Sequence, residues 1–486
     1  MAKFTDINAY SKNLAAGYKP LPFRFMPLDS EKYVLTNMAG EFVVTDRDGL
    51  VEFAGGKLHH QSPAYSDLKS KHFLIDSDSD VALDLLALKV RTKLSPLANF
   101  TGLHIFVVTL RCEHSCPYCQ VSRANDNRTD FDMTEETALR ALDLVFQSPS
   151  PAIKIEFQGG ESLLNLDLIE LIVAEAKRRN ETEQRELAFV FATNLAVLDE
   201  RALEFAREHN IFISTSLDGP KDLHNRNRPR PGGDSYERTI DGINRARAVV
   251  GRDHVSALMT TTAASLDRAR EIVDEYIRQG FRGIFLRALS PYGFALKTKF
   301  YQSYGHERWL QFYFDGLDYI IEMNRNGFPF TEQYAALILR KMLTPFQPGY
   351  VDLMSPSGIG IGAVVYNYDG DVYASDEARM LAEMNDKTFR LGNVHDNTYE
   401  EIFLGESLLD PIEQSFAPSA PMCSWCAFEP WCGSDPVFHY ATQGDFVGKK
   451  PLSAFCGRNM AIFKGLIERM NQDPEIRTIF ENWANN

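Results

Sequence analysis

Past residue 100 the hydrophobic positions fall into two alternating rhythms. Short, nearly unbroken apolar runs occupy His104 to Leu110, Ile153 to Phe157, Ala188 to Thr193, Ile211 to Leu217, Val255 to Thr261 and Gly283 to Leu289. Runs of this length between turn signals read as buried strands. Between and after them apolar residues recur at helical spacing, over Glu135 to Phe146, Leu166 to Arg179, Glu200 to His209, Tyr236 to Val249, Leu266 to Gln279 and Glu307 to Asn324. Such alternation predicts an α/β fold with parallel strands, either doubly wound or closed into a partial (β/α)6 barrel of TIM type. In both arrangements ligands gather where the strands end.

The flanks differ. Residues 1–98 predict a small N-terminal α+β unit with extended segments at Tyr33 to Leu35, Glu41 to Thr45 and Leu50 to Phe53, set off by Ala39-Gly40 and Asp46-Arg47-Asp48-Gly49. A helix follows over Asp80 to Arg91, with Val81, Leu85 and Leu88 on one face. An accessory peptide-binding module and a plain structural cap suit that pattern equally. The α/β unit then spans 99–345. Over 346–486 the chain turns glycine-rich and extended, through Ser357 to Gly362 and Val364 to Tyr373, and ends in a helix over Met460 to Asn471 expected to pack back on the body.

Composition narrows the class. With 486 residues, 44% of them apolar, the chain has material for two or three cores. A formal charge of −15 argues against a nucleic-acid-binding surface. No run of ~18 apolar residues predicts a transmembrane helix. The stretch from Met1 to Pro20 lacks the apolar core of a secretion signal, so the expected compartment is the cytoplasm, without membrane association.

Seven cysteines fall in two groups: Cys112, Cys116 and Cys119 just after the first strand, and Cys423, Cys426, Cys432 and Cys456 near the end. An odd number in a reducing compartment points to metal rather than disulfides. The first group is spaced C-x3-C-x2-C. Three thiolates on one loop can hold three irons of a 4Fe-4S cubane and leave the fourth open, since saturation takes four. Zinc would need a further ligand, for which His114 is the local candidate. The second group, C-x2-C-x5-C and then Cys456, has four thiolates, enough to close a cluster for electron transfer or structure, or to enclose zinc. Gln158-Gly159-Gly160-Glu161 ends the second strand. Paired glycines allow close backbone approach and a carboxylate beside them suits an ammonium, and a tight strand-to-helix turn would use the same residues.

Cys112, Cys116, Tyr118 and Cys119 match C-x3-C-x-aromatic-C, and with Gly159-Gly160-Glu161 one unit later the chain resembles the radical S-adenosylmethionine (SAM) superfamily. The resemblance implies that SAM chelates the open iron and is cleaved to a 5′-deoxyadenosyl radical. It implies SAM-binding roles for Tyr118, Gly159, Gly160 and Glu161, the last at the SAM amino group. Ser214 to Pro220, followed by His224 to Arg228, is similar to the SLDGP and H-x3-R pattern of the peptide- and sulfatase-maturing branch, which implies SAM contacts from Ser216 and Arg228. Asn194 and Leu289 fall at SAM-lining places of the same family. A Gly-Pro turn and a solvated basic loop are the plainer reading of this stretch, and the one that suits Arg226 and Arg230.

The second cysteine group resembles the SPASM extension of radical SAM peptide maturases, with a departure. Ser375 and Pro436 stand where that pattern has further cysteines, and Ser355 and Ser357 occupy the region of its first one. The resemblance thus implies two 4Fe-4S clusters, one SAM-binding and one auxiliary held by Cys423, Cys426, Cys432 and Cys456. Asp376 falls where sulfatase maturases carry a catalytic base, and a solvated loop aspartate would look the same. Over nearly its whole length the chain looks most like the radical SAM maturase of the His-Xaa-Ser system, on Pro22-Phe23-Arg24-Phe25, Leu110 to Cys116, Val365 to Asp371 and Phe438-His439-Tyr440. That implies an oxidoreductase acting on a ribosomally made precursor peptide, with a partner maturase and an electron donor of flavodoxin or ferredoxin type. The alternatives are an anaerobic sulfatase-type maturase forming formylglycine and a non-catalytic, metal-stabilised peptide-binding scaffold.

Overall fold

The computed structural model describes residues 17–76, 81–297, 301 and 304–485. The stretch read for a secretion signal lies outside these residues as far as 16, and so does Asp80, at the expected start of a helix.

One mixed sheet of eight strands organises the molecule, in the order β12-β11-β10-β9-β6-β15-β16-β17. Its parallel half runs through β6 (Leu103–Thr109), β9 (Ala152–Gly159), β10 (Glu186–Ala192), β11 (Phe212–Ser216) and β12 (Val255–Leu258). These are the first five apolar runs, and they pair in chain order. Ile105, Phe106, Val107 and Val108 are all at most 5% exposed, as a strand covered on both faces must be. The expected helices follow their strands, at Glu135–Val145, Leu166–Glu183, Glu200–Glu208, Ser235–Val250, Ala269–Arg278 and His306–Arg325.

The sixth run departs from the expected pattern. Only β13 (Gly283–Ile284) is strand, and it pairs with β14 (Thr331–Glu332) rather than with β12. The cause is Glu332, a carboxylate without solvent exposure that accepts hydrogen bonds from Leu286 N (3.1 Å), Tyr313 OH (2.8 Å) and Ala335 N (2.6 Å). Satisfying a buried carboxylate outweighs extending the ladder. Thr261 N still donates to Arg287 O at 3.2 Å, so the two runs stay adjacent.

On the other side of β6 the sheet continues into the C-terminal region. β15 (Ala363–Tyr366) pairs with β6 in parallel, and β16 (Asp371–Tyr373) and β17 (Arg390–Asn393) add antiparallel strands. The last expected helix is longer than its pattern, Ala454–Gln472, and lays Ile462, Phe463, Leu466 and Ile467 in the core. The helices Gln333–Leu343 and Pro474–Asn485, absent from the sequence reading, pack on one another beside it.

The N-terminal unit is a three-stranded antiparallel sheet of β2 (Phe23–Pro27), β3 (Lys32–Asn37) and β4 (Phe42–Asp46), with β1 (Lys19–Pro20) paired to β5 (Leu74–Ile75). Leu50 to Phe53, expected to be extended, is helical within Arg47–Ala54. Asp46 Oδ1 accepts from Gly49 N at 2.8 Å, which caps the helix, and Leu50 and Phe53 share its buried face. In the helix Val81–Leu94 the expected inner face is turned outward: Val81, Leu85 and Leu88 are 58, 41 and 58% exposed, and Leu86 is the buried residue.

Candidate active site

The cysteine loop leaves the carboxyl end of β6 through β7 (Arg111–Cys112), which pairs with β8 (Ala124–Asn125). Cys112 is buried, and Cys116 and Cys119 are half-buried on a turn closed by Cys119 N donating to Cys116 O at 3.1 Å. The paired glycines at the end of β9 shape this loop. A Cβ on Gly159 would collide with Thr109 O, and one on Gly160 with Leu110 O and Arg111 O. Without side chains the two strand ends join through Gly160 N to Thr109 O (2.9 Å) and Glu161 N to Arg111 O (2.7 Å). The close approach is therefore made to the backbone that carries Cys112.

Glu161 has no solvent exposure, and its carboxylate accepts from Leu163 N (3.1 Å), Thr193 Oγ1 (2.6 Å) and Asn194 N (2.8 Å). Burial and then the negative charge of Glu113 raise its pKa despite those bonds. It holds Asn194 at the end of β10, where the Asn194 amide nitrogen lies 4.0 Å from Cys112 Sγ.

A second brace crosses from the loop to β11. Tyr118 OH donates to Asp218 Oδ2 at 2.6 Å, Arg228 Nε lies 3.1 Å from the same oxygen, and the Arg228 guanidinium sits 5.5 Å from the centre of the Tyr118 ring. Asp218 Oδ1 also accepts from Thr260 N at 3.2 Å. Tyr118, Arg228 and the half-buried Ser216 at the end of β11 thus converge on one edge. Leu289 is buried, its N–H donating to Tyr304 OH at 3.2 Å. Asp218 is part of the SLDGP pattern, which gives it no role of its own; its burial, which no pattern encodes, is what makes it a clamp.

His114 is the centre of a buried polar chain. Its Nδ1 lies 2.7 Å from Glu113 Oε1 and its Nε2 2.8 Å from Ser235 Oγ. Ser235 Oγ is in turn 3.1 Å from His224 Nε2, and His224 Nδ1 accepts from Asp218 N at 3.3 Å. Burial lowers the His224 pKa to about 3, so the ring is neutral and carries its proton on Nε2. Cys112, Glu113 and His114 bring ligand atoms within 4.8 Å of one another. Both imidazole nitrogens of His114 are nevertheless committed to hydrogen bonds.

The second cysteine group lies on the loop 423–432 and on the first turn of the helix Ala454–Gln472. Cys426 N donates to Cys423 O at 3.0 Å, and Ser453 caps the helix by accepting from Cys456 N at 3.2 Å. Burial raises all four thiols, Cys426 to about 12 and Cys456 to about 11, and neighbouring sulfurs add to the shift of Cys423, Cys426 and Cys456, whereas Asn459 and Lys341 oppose it at Cys432. None of the seven cysteines forms a disulfide. A tetrahedral zinc site draws its sulfurs to about 3.8 Å from one another, given bonds of about 2.3 Å. Among the described residues no three cysteines bring their sulfurs within 4.8 Å of one another. By number, three thiolates in the first group could hold a cubane with one iron open, and four in the second could close one. Two side chains unmarked in the sequence face the second group: Asn459 Nδ2 lies 3.7 Å from Cys432 Sγ, and the buried Lys341 Nζ donates to Cys432 O at 3.2 Å.

The substituted positions have other work. Ser375 caps the helix Asp376–Ala382, accepting from Ala378 N at 3.2 Å, and Ser355 Oγ accepts from Ala417 N at 3.2 Å. Pro436 opens the helix Pro436–Gln443 behind the cap Asp435. Asp376 is half-buried and lies 3.4 Å from Arg379.

Comparison with known proteins bears on the same edge. Residues 106–275 match the family model of the radical SAM superfamily. A cysteine-type anaerobic sulfatase-maturating enzyme of Clostridium perfringens is 25% identical over 323 residues, 65% of this chain and 83% of that relative. Among solved structures, native anSMEcpe with bound AdoMet superposes with a TM-score of 0.62 at 19% identity, covering 78% of this chain and 99% of that one. Streptococcus suis SuiB bound to precursor peptide SuiA superposes at 0.53 with 13% identity, covering 91% and 99%. At those identities the two structures establish likeness of fold.

Proposed function

We propose that this chain, an enzyme with a radical SAM domain and related to the peptide and sulfatase maturases, modifies a ribosomally made peptide of the His-Xaa-Ser type by hydrogen abstraction. The observation that carries the reading is the convergence of Cys112, Cys116 and Cys119 with the Gly159-Gly160-Glu161 and Ser216-to-Arg228 segments on one carboxyl edge, bound together through Glu161, Asp218 and His114. When bound there, the cluster and SAM supply an electron and a 5′-deoxyadenosyl radical that takes hydrogen from the substrate.

The chain's own part is to hold and shield. Cys112, Cys116 and Cys119 hold the first cluster, and Asn194, Ser216 and Arg228 stand where they can hold SAM, with Tyr118, Glu161 and Leu289 fixing their surroundings. Cys423, Cys426, Cys432 and Cys456 hold an auxiliary cluster. The N-terminal unit receives the leader of the peptide: β4 is an edge strand, and a groove of about 260 Å³ lined by Val43, Thr45, Phe53, Leu58 and Leu68 runs beside it, as strand addition requires. A partner maturase and a flavodoxin- or ferredoxin-type donor complete the cytoplasmic system. Among the described residues no helix is long and apolar enough to cross a membrane.

Formylglycine formation is the second reading, favoured by the 25% identity to the sulfatase-maturating enzyme and by the half-buried Asp376 as base. Co-expression separates the two. A His/Ser-rich precursor encoded beside this chain should change mass with it and stay unchanged with a Cys116→Ala variant. Conversion of a sulfatase-type cysteine peptide, with the precursor untouched, would favour formylglycine chemistry.

A further inference from the structure

On the side of the sheet edge that faces the C-terminal region lies a group of carboxylates to which the hydrogen abstraction proposed above gives no role. Glu156 comes from β9, Asp352 from the turn Val351–Leu353, Asp376 and Glu377 from the first turn of Asp376–Ala382, and Asp435 from the cap of Pro436–Gln443. All five are half-buried.

Three arginines face the five carboxylates, at the long end of ion-pair distance where they pair. Arg287 Nη2 stands 3.9 Å from Glu377 Oε1, and Arg379 lies 3.4 Å from Asp376 while giving Nη1 to Val121 O at 3.2 Å. Arg458 faces Asp352 and Asp435 without closing a salt bridge to either among the described residues. Burial and the neighbouring negative charges push Glu377 up to about 8 and Asp435 up to about 7, which is the response of a site short of positive charge.

A second, independent observation lies at the same place. Tyr292 is 1% exposed and its hydroxyl has no hydrogen-bond partner, although it lies within electrostatic reach of Asp435, Glu377 and Asp352. A buried hydroxyl left unpaired in a native protein calls for a further partner, a water or a ligand group. The segment that carries it rests on the cysteine loop: Phe294 N donates to Cys119 O at 2.8 Å, and a Cβ on Gly293 would strike the backbone of Gln120. Whatever fills the group is therefore held beside the first cysteine loop.

We propose that this group receives a cationic side chain of the substrate peptide, an ammonium, guanidinium or imidazolium, with the Tyr292 hydroxyl as a neutral contact. The inference rests on the peptide reading above and names the class of residue presented at the SAM edge.

The test uses the full chain, reconstituted with iron and sulfide and loaded with SAM. Its probes are fluorescent glycine–serine dodecapeptides that differ only in a central lysine, arginine, histidine, glutamine, leucine or glutamate. Lysine and arginine peptides should bind about tenfold tighter than the glutamine and leucine ones, and glutamate most weakly. The histidine peptide should gain on leucine at pH 6 and lose that gain by pH 8. Glu377→Gln should lower the lysine-to-leucine affinity ratio by about threefold or more, a ratio that partial unfolding leaves untouched. Because a bound cation draws down Glu377 and Asp435, which face Asp352, Asp376, Arg287 and Arg458, lysine-peptide binding at pH 7 should release protons, seen as a heat that varies with the buffer's ionisation enthalpy. Equal binding by leucine or glutamate peptides, no binding by the cationic ones, or an unchanged ratio in Glu377→Gln would overturn the proposal. The peptide reading fails separately, if co-expression leaves the mass of the His/Ser-rich precursor unchanged.

Discussion

Asp218 serves three partners from a position with no solvent contact: the Tyr118 phenol, the Arg228 guanidinium and the Thr260 amide. Replacing it with alanine leaves a buried arginine without its counter-ion and a buried phenol without its acceptor. Asp218→Ala is therefore expected to cost about 3–5 kcal/mol in denaturant unfolding. Asp218→Asn keeps an acceptor for Tyr118 and should cost less. Equal stability of wild type and Asp218→Ala would mean that the clamp is not a structural element. At this scale the cysteines, Tyr118 and Arg228 stand out in the sequence by residue type and spacing, and the structure brings Tyr118 and Arg228 together at Asp218. Asp218, His224 and Ser235 do not stand out, since their roles arise from burial and from partners about ten to a hundred positions away.

At the scale of elements, Gly160 joins the end of β9 to the strand that carries Cys112. A methyl group there meets two carbonyl oxygens, which must move apart. Gly160→Ala should lower the iron bound after reconstitution from about eight per chain to about four, with the second cysteine group still loaded. Retention of all the iron would show that the loop tolerates the shift. The five parallel strands and their helices were legible because short unbroken apolar runs and longer segments of helical spacing alternate along the chain. Leu50 to Phe53 was not: four residues with apolar ends suit a strand or one helical turn, and the cap from Asp46 decides between them. The truncated sixth strand was hidden for another reason, since it depends on Glu332, a buried carboxylate nearly fifty residues downstream.

Across the whole molecule the N-terminal unit is docked on the second cysteine loop. Arg24 Nη1 lies 2.9 Å from Glu429, Arg24 Nε donates to Ser424 O at 2.8 Å, Thr36 Oγ1 to Ala427 O at 2.6 Å, and Trp431 Nε1 to Gly40 O at 2.8 Å. The peptide binding proposed at β4 and the proposed auxiliary cluster would thus share one mount. Arg24→Ala leaves Glu429 buried and unpaired, a cost of about 3–5 kcal/mol, and should lower iron in the second group while SAM cleavage continues. Unchanged iron would show that the dock does not support that loop. Three regions could be seen in the sequence, but their joining could not. The continuation of the sheet from β6 into β15 depends on pairing between residues about 260 apart, which local patterning does not carry.

The chemistry of the first cysteine loop is measured most directly by anaerobic formation of 5′-deoxyadenosine. Reconstituted protein with SAM and a strong reductant should produce it, and a Cys116→Ala variant reconstituted in parallel should produce none. Absence of 5′-deoxyadenosine from wild-type protein whose first cluster is present by spectroscopy would contradict the account and leave a metal-stabilised binding protein in its place.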